Sequence, residues 1–492
     1  MPGFVATTLP ASLPLALLDF GLELYALLPL AHLTGLYCAY RAIIYTRTAQ
    51  GAIAWAVSLI ILPYVSVPLY VVFGRRKFVG YVEARQRGDL AINHVAMDLK
   101  QHEIEFRTVF DEDALKVRAI ETLAKMPFTS GNAVELLIDG EAIFGSILTG
   151  LREARDYVLI QFYIVNDDRL GREFKDLLVA RARDGLRIYF LYDEIGCYAL
   201  PNAYLDELRA AGLQVHSFLS TRGPSNRFQI NFRNHRKIVI VDGRLAWVGG
   251  ANVGDEYMGL DPEIGAWRDT QCRFEGPVVQ CVQLAFLEDW YFAAGGIPSL
   301  DWTPQRAPGG AVDVLALPSG PADPFETASL FFVHAINAAR SRLWIASPYF
   351  VPDERVVGAL QLAALRGVEV RILLPSKADH LLIYLSSFSY LEELCGLGVT
   401  IYRYQPGFLH QKTMLVDDRL AVVGTANLDN RSFRLNFEIT MLCSSLEFAG
   451  RMEAMFEADF ANSEVATISS LEERSGWFQF AVKVARLMSP VQ

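Results

Sequence analysis

The sequence has little of what would tie it to a disulfide framework, a zinc ion or a nucleic acid. Its six cysteines (Cys38, Cys197, Cys272, Cys281, Cys395, Cys443) are scattered, with no CxxC pair and no histidine–cysteine cluster at zinc spacing. They read as free thiols in a reducing compartment, and no metal site is expected. Positive charge is in deficit: 45 Lys and Arg against 55 Asp and Glu leave a formal charge of −10 and a pI near 5.4. That sign argues against a chain built mainly to neutralise nucleic acid phosphates. No lysine or arginine precedes Arg41. The basic n-region of a cleavable signal peptide is therefore missing, and the hydrophobic segments that follow are expected to be retained anchors. Residues 52–74 hold no charged side chain at all.

What is present is apolar: 52% of residues and a mean hydropathy of +0.22, which points to a membrane portion. The uncharged run 52–74 is 23 residues long, enough for a helix to cross a bilayer core at ~20 residues per span. Pro63 and Pro68 are expected to kink it, which lipid tolerates. Residues 24–40 form a second such stretch, its apolar character reaching back toward Leu13. Residues 1–78 are thus expected to be a transmembrane helical hairpin. Arg75, Arg76, Lys77, Arg85 and Arg87 follow it, against Arg41 and Arg47 between the spans, so the C-terminal body is expected on the cytoplasmic side. Residues 79–130 are polar and of mixed charge, a linker with a helix over 85–121.

The body then repeats itself. In the first copy, 131–296, the pattern predicts helix 142–154, strand 157–163, helix 170–184, strand 186–192 and helix 203–211. In the second, 325–470, it predicts helix 328–340, strand 343–350, helix 354–366, strand 368–374 and helix 384–394. Alternating strands and helices indicate an α/β architecture with a largely buried sheet. Residues 297–324, rich in Pro and Gly, mark a linker. In 471–492, a short basic amphipathic segment (Trp477, Phe478, Phe480, Val484, Leu487 with Lys483 and Arg486) either lies on a membrane interface or packs against the body.

Each copy ends in the same pattern. His235-Arg236-Lys237 is followed by Asp242 and by Gly249-Gly250-Ala251-Asn252; His410-Gln411-Lys412 is followed by Asp417 and by Gly424-Thr425-Ala426-Asn427. Two-residue spacing on a strand puts histidine and lysine on one face. A two-residue hairpin turn at Asp242-Gly243, or at Asp417-Asp418, brings His235 opposite Gly250 and His410 opposite Thr425, with the asparagine beside them. The small residue leaves room for a ligand, and lysine and asparagine can bind phosphate oxygens. Asp242 and Asp417 belong to the catalytic motifs, yet their strand parity assigns them to the turn or to an internal ion pair. The hydroxyl of Thr425, expected near His410, has no equivalent near His235.

Two such half-sites facing each other surround one phosphodiester. One imidazole can attack phosphorus and the other can move the proton of the alcohol, while lysines and asparagines stabilise charge without a metal or other cofactor. Asp269 and Glu438 lie at similar distances downstream of the two histidines and are candidates for orienting their rings. A single HxK is a weak signal, but two in identical register are a strong one.

With these residues in hand, the chain resembles the phospholipase D superfamily, whose signature is HxK(x)4D followed by G[GST]xN, twice over. More narrowly it resembles bacterial cardiolipin synthases, through the N-terminal hydrophobic hairpin, Gly254-Asp255-Glu256-Tyr257, Trp267-Arg268-Asp269-Thr270, Ser347-Pro348-Tyr349-Phe350-Val351-Pro352, Asn427-Leu428-Asp429-Asn430-Arg431-Ser432-Phe433, Asn436-Phe437-Glu438 and the closing Ser489-Pro490. The resemblance implies two tandem phospholipase D-like α/β/α sandwich domains forming a pseudo-dimer in the bacterial inner membrane. It implies phosphatidyl transfer from one phosphatidylglycerol to another through a phosphatidyl-histidine, giving cardiolipin and glycerol, with His235 as nucleophile and His410 as acid and base. A phospholipase D using water, a synthase using phosphatidylethanolamine, a nuclease of the same superfamily and a non-catalytic scaffold are the other readings. The membrane segment and acidic balance count against the nuclease, and the intact histidines and lysines against the scaffold.

Overall fold

The computed structural model describes residues 13–46, 49–74, 81–83, 105–110, 114–218, 231–377 and 379–489. The chain divides into two units, residues 1–77 with 227–231, and residues 78–226 with 232–492. In the first unit, helix Leu13–Tyr45 packs on helices Ala49–Ile61 and Pro63–Phe73 through Cys38, Ala39, Ala42, Ala56 and Leu59. The uncharged run 52–74 is therefore two helices and not one. It breaks at Leu62 because Pro63, at the first helical position, has no N–H to continue the preceding helix. Among the described residues no helix is long and apolar enough to cross a membrane. Most of the expected helix 85–121, and the basic residues Arg75, Arg76, Lys77, Arg85 and Arg87, lie outside the described residues.

The second unit is built twice from one plan. The first copy supplies β1 (Thr129–Ile138), β2 (Tyr157–Phe162), β3 (Arg187–Asp193), β4 (Gln214–Phe218), β5 (Arg233–Asn234), β6 (Ile238–Val241), β7 (Leu245–Gly249), β8 (Ala266–Arg268) and β9 (Thr270–Glu275). The second supplies β10 (Val312–Ser319), β11 (Arg342–Ala346), β12 (Phe350–Val351), β13 (Glu369–Pro375), β14 (Thr400–Tyr404), β15 (Gly407–Leu409), β16 (Thr413–Val416), β17 (Leu420–Gly424), β18 (Leu428–Asp429), β19 (Asn436–Ser444) and β20 (Ser463–Ala466). Read outward from the central antiparallel pair β1–β10, the strand order is β1-β9-β7-β6-β2-β3-β4 on one side and β10-β19-β17-β16-β11-β13-β14-β20 on the other. Corresponding neighbours pair with the same sense, parallel for β2–β3–β4 and β11–β13–β14, antiparallel for the rest. β10 lies inside the stretch whose Pro and Gly suggested a linker; its apolar centre, Val314 to Leu317, is fully buried.

Local chemistry explains the repeat. Both faces of the strands next to the histidine motifs are covered, so β6 reads as an unbroken Ile and Val run and β16 as Thr-Met-Leu-Val with no polar alternation. Ile238 and Ile240 enter the core shared with the second copy, whereas Val239 and Val241 enter the core under the first copy's helices. The echoing strings "RDGLRI" and "LRGVEV" each carry a glycine past a helix end, Gly185 at φ +96° and Gly367 at φ +84°, where the left-handed backbone turns the chain into β3 or β13. The expected helix 384–394 is two helices, Leu381–Phe388 and Leu391–Cys395. Between them the Ser389 hydroxyl donates to the Ser386 carbonyl (2.6 Å), competing with the helical ladder. The C-terminal helix, Gly476–Leu487, packs against the body through Val482, Ala485 and Phe478, the last edge-on to Phe388 at 5.4 Å.

Candidate active site

Neither histidine stands on the strand expected to carry it. β6 begins at Ile238 and β16 at Thr413, so His235-Arg236-Lys237 and His410-Gln411-Lys412 are the connections that enter those strands. The hairpin turns are one residue longer than expected, pairing Val241 with Leu245 and Val416 with Leu420. Asp242 and Gly243, both at positive φ, make that turn in the first copy. What positions each histidine is a short strand just before it that pairs with a strand of the opposite copy. β5, just before His235, pairs with β19 of the second copy, and the His235 N–H donates to the Phe437 carbonyl at 2.9 Å. β15, just before His410, pairs with β8 of the first copy, and the His410 N–H donates to the Arg268 carbonyl at 2.8 Å.

The carboxylates are crossed for the same reason. Glu438 follows Phe437, and its two oxygens sit 3.0 Å from His235 Nδ1. Asp269 follows Arg268, and its Oδ2 lies 2.8 Å from His410 Nδ1. Each copy's histidine is thus oriented by the other copy's acid. Glu438 also accepts from Thr425 Oγ1 (2.6 Å), Ser432 Oγ (2.8 Å) and Asn436 Nδ2 (3.2 Å). The Thr425 hydroxyl, expected beside His410, therefore serves the carboxylate of His235. Gly250 leaves no room for a ligand either: a Cβ there would lie 2.1 Å from Asp269 Oδ1, so the missing side chain makes space for the acid.

Both lysines are buried and turn back on their motif. Lys237 Nζ donates to the His235 carbonyl at 2.8 Å and Lys412 Nζ to the His410 carbonyl at 2.6 Å, leaving further ammonium protons for a ligand. Burial pushes the Lys412 pKa down to about 8, against the pull of Asp269 and Glu438. Burial likewise holds Lys237 well below the usual lysine range, with Lys412 adding like-charge repulsion. Burial lowers both histidines to about 4, with Lys237 pushing His235 down, Lys412 pushing His410 down and the carboxylates opposing. Although burial raises them, Glu438 and Asp269 end below the usual carboxylate values, because His235 and His410 respectively face them at hydrogen-bond distance. The imidazoles are therefore neutral and the acids ionised.

The motif aspartates are not in this cluster. Asp242 and Asp417 lie at the far ends of β6 and β16, about five residues and ~16 Å of extended chain from the lysines. The Asp242 carboxylate accepts from the N–H groups of Arg155, Asp156 and Tyr157 (2.8, 2.8 and 2.9 Å). Asp417 accepts from the N–H groups of Arg340, Ser341 and Arg342 and from the Ser341 hydroxyl. Each fastens the turn between a helix and the neighbouring strand. Their described partners are backbone N–H groups and one hydroxyl, and the structure separates both aspartates from the two histidines.

A cavity of about 650 Å³ is bounded by His235, His410, Asn252 and Asn427. The asparagines differ. Asn252 Oδ1 accepts from the Ile164 N–H (3.0 Å) and its Nδ2 donates to Tyr257 Oη (2.7 Å), so it braces the wall. Asn427 Oδ1 is buried with no partner among the described residues. Side chains that carried no assignment in the sequence complete the walls: Tyr163 edge-on to His235 with ring centroids 5.0 Å apart, Trp267 and Tyr257 beside His410 at 5.1 and 5.9 Å, and Arg233 and Arg431. Tyr257, Trp267 and Arg431 lie inside recognisable motif strings, and that was the available signal; Tyr163 and Arg233 had none. Behind the site, Arg236 Nη1 meets Asp289 at 2.8 Å, and Gln411 Nε2 donates to Asp459 at 3.0 Å. The residue between histidine and lysine thus ties each connection to a helix.

A family profile described as "Cardiolipin synthase, PLD-like domain" matches residues 147–290 and 332–460, one match in each copy. A cardiolipin synthase A of Pseudomonas putida is 47% identical over 469 residues, 94% of this chain and 97% of that one. The chain belongs to the cardiolipin synthase family of PLD-like proteins. A Pseudomonas fluorescens cardiolipin synthase A is also 47% identical, across 96% of this chain and 99% of its own. The crystal structure of a Haemophilus influenzae phosphatidylserine synthase covers 77% of this chain and all of its own with a TM-score of 0.60 at 15% identity, a likeness of fold. The fold is accordingly mixed α/β with tandem PLD-like domains. Within this family frame the two copies are not equivalent around the cavity. Four residues past the motif asparagine, the first copy has Glu256 and the second Arg431, and both line it.

Proposed function

We propose that the chain is a cardiolipin synthase, a phosphatidyltransferase that joins two phosphatidylglycerols and releases glycerol. The crossed histidine–carboxylate pairs on one cavity carry this reading. Glu438 accepts the Nδ1–H hydrogen bond of His235, holding the tautomer that leaves the Nε2 lone pair for attack on phosphorus. His410, turned the same way by Asp269, gives a proton to the departing glycerol oxygen and takes one from the hydroxyl of the second phosphatidylglycerol. That oxygen then attacks the phosphatidyl-histidine, the P–N bond breaks, and cardiolipin leaves.

Charge balance supports the division of labour. An arriving phosphodiester adds one negative charge beside the two imidazoles. One added proton on an imidazole neutralises it, raising His410 from its low resting value to serve as the acid. Lys237, Lys412 and the Asn427 amide are assigned to the phosphoryl oxygens. Asn252, Gly250 and Thr425 hold the walls and the acids, and Asp242 and Asp417 the scaffold. No cofactor is assigned.

Residues 131–296 and 325–470 are assigned as the two catalytic domains, with 79–130 and 297–324 joining the parts. Residues 1–78 are assigned as a multi-pass anchor in the bacterial inner membrane, with the catalytic body cytoplasmic. Exposed Leu33, Ile43, Ile53 and Ile61 on their helices favour lipid contact. The test is to incubate membranes holding the protein with phosphatidylglycerol and follow cardiolipin and glycerol. His235→Ala and His410→Ala should each abolish both products. Release of phosphatidic acid in place of cardiolipin would make the protein a hydrolase, and full activity in either variant would overturn the mechanism.

A further inference from the structure

The C-terminal helix Gly476–Leu487 uses three sides differently. One packs on the body: Val482 and Ala485 are buried, and Phe478 meets Phe388. A second is polar and tied down, with Lys483 3.2 Å from Glu392 and Arg486 2.5 Å from Glu393. The third faces outward and consists of Trp477 (81% exposed), Phe480 (60%), Val484 (44%), Leu487 (78%) and Met488 (46%). Positions i, i+3, i+7, i+10 and i+11 fall within about 100° of arc, so this is a single stripe with no charge in it. A soluble surface scatters such residues singly; a stripe of five, led by Trp and Phe, is the chemistry of a helix lying in a bilayer interface.

The stripe's helix rests on an element that also reaches the cavity. The helix supporting it, Leu381–Phe388, places its N-cap His380 and Ile383 in the cavity lining and exposes Leu381 (67%) and Leu382 (42%). We propose that the outward stripe of the C-terminal helix, together with Leu381 and Leu382, seats the catalytic body on a phospholipid bilayer beside the cavity entrance. The inference rests on the phospholipid reading of the cavity. A phospholipid whose acyl chains stay in the bilayer can reach the histidines only if the entrance faces that bilayer. A stripe whose helix rests on the element that lines the cavity sets that orientation independently of the N-terminal segment.

The test uses the full chain reconstituted in phosphatidylglycerol vesicles. Brominated acyl chains should quench an emission component that Trp477→Phe removes. A triple variant, Trp477→Ser with Phe480→Ser and Leu487→Ser, should need about tenfold or more surface phosphatidylglycerol to reach half its maximal rate. Its rate on dispersed short-chain phosphatidylglycerol should be unchanged, which doubles as the check that it folds. The single variant Phe480→Asp should act in the same direction. No quenching, or equal rates on vesicles, overturns the proposal. So does a change from dimer to monomer in the triple variant with unaltered vesicle kinetics, which would make a second copy the occupant. A parent enzyme that quenches but makes no cardiolipin from either presentation would defeat the functional reading and leave the docking surface standing.

Discussion

The crossed acids make a sharp prediction at Glu438. Glu438→Gln keeps the size of the side chain and the acceptor for Thr425, but it sets an amide where His235 Nδ1 meets both carboxylate oxygens at 3.0 Å. Two consequences follow. The ring can turn to its other tautomer, which puts a proton on Nε2 and removes the attacking lone pair. The positive charge that develops on the phosphorylated imidazole also loses its counter-charge. At ~4 Å between charge centres and an effective dielectric near 20, that attraction is about 4 kcal/mol, or roughly a 10³-fold loss of rate. The assay is cardiolipin formation from labelled phosphatidylglycerol in mixed micelles, with rapid acid quench to trap any phosphatidyl adduct. Glu438→Gln should reduce turnover about a thousandfold and show no adduct, matching His235→Ala. Asp269→Asn should be comparably slow yet still form the adduct slowly, because His235 keeps its attacking tautomer and only the proton transfers through His410 are impaired. If Glu438→Gln retained more than a tenth of the activity, or behaved as His410→Ala does while Asp269→Asn behaved as His235→Ala does, the crossed assignment would be refuted.

Four further outcomes are expected. Both imidazoles are held at about 4 in the folded chain against 6.5 when free, so the unfolded chain takes up protons first as pH drops. Their contribution to stability, on the order of 3 kcal/mol each, is fully present above about pH 6.5 and lost as pH falls toward 4. With Lys412 lowered to about 8, kcat/KM should fall on the acid side near pH 4 and on the alkaline side near pH 8; an acid limb at 6.5 would contradict the burial argument. Gly250→Ala forces a Cβ against the Asp269 carboxylate and should cost roughly 10- to 100-fold in kcat by disturbing the charged hydrogen bond to His410, whereas Thr425→Ser, which keeps the hydroxyl, should stay within a few-fold of the parent rate. Asp242→Asn and Asp417→Asn each weaken a cluster of backbone hydrogen bonds and should lower stability by about 1–3 kcal/mol in urea unfolding while kcat of the folded protein changes little; loss of turnover with unchanged stability would place these carboxylates in the chemistry instead.

The elements of both copies were legible because their signals are local. Helices 170–184 and 354–366 announce themselves by periodicity and by an N-cap aspartate, Asp168 and Asp353; the parallel strands do so by unbroken apolar runs. Boundaries failed where a single residue redirects the backbone, as Pro63 does in the hydrophobic run and Ser389 between its two short helices. The central strand Val312–Ser319 escaped notice because Pro and Gly flank it, and only its partners on either side, β1 and β19, make it a strand.

The sequence by itself determined the inventory of the candidate site: two histidines, two lysines, two asparagines and two acids, in a duplicated order to which the proposed phosphodiester chemistry is assigned. Residue types and their spacing along the chain suffice for that, since they fix which groups a half-site can offer. Only the tertiary structure decided how the halves share them. Strands of two and three residues, β5 on β19 and β15 on β8, carry each histidine to the other copy's carboxylate. The same exchange moves the Thr425 hydroxyl to the His235 side, and Gly250 proves to be space for an acid. Such pairings depend on contacts between positions up to about 200 residues apart, 203 for His235 with Glu438, and no local period encodes them. Burial decided the rest, because the pKa values that leave the imidazoles neutral and the acids charged follow from the removal of water by both copies together.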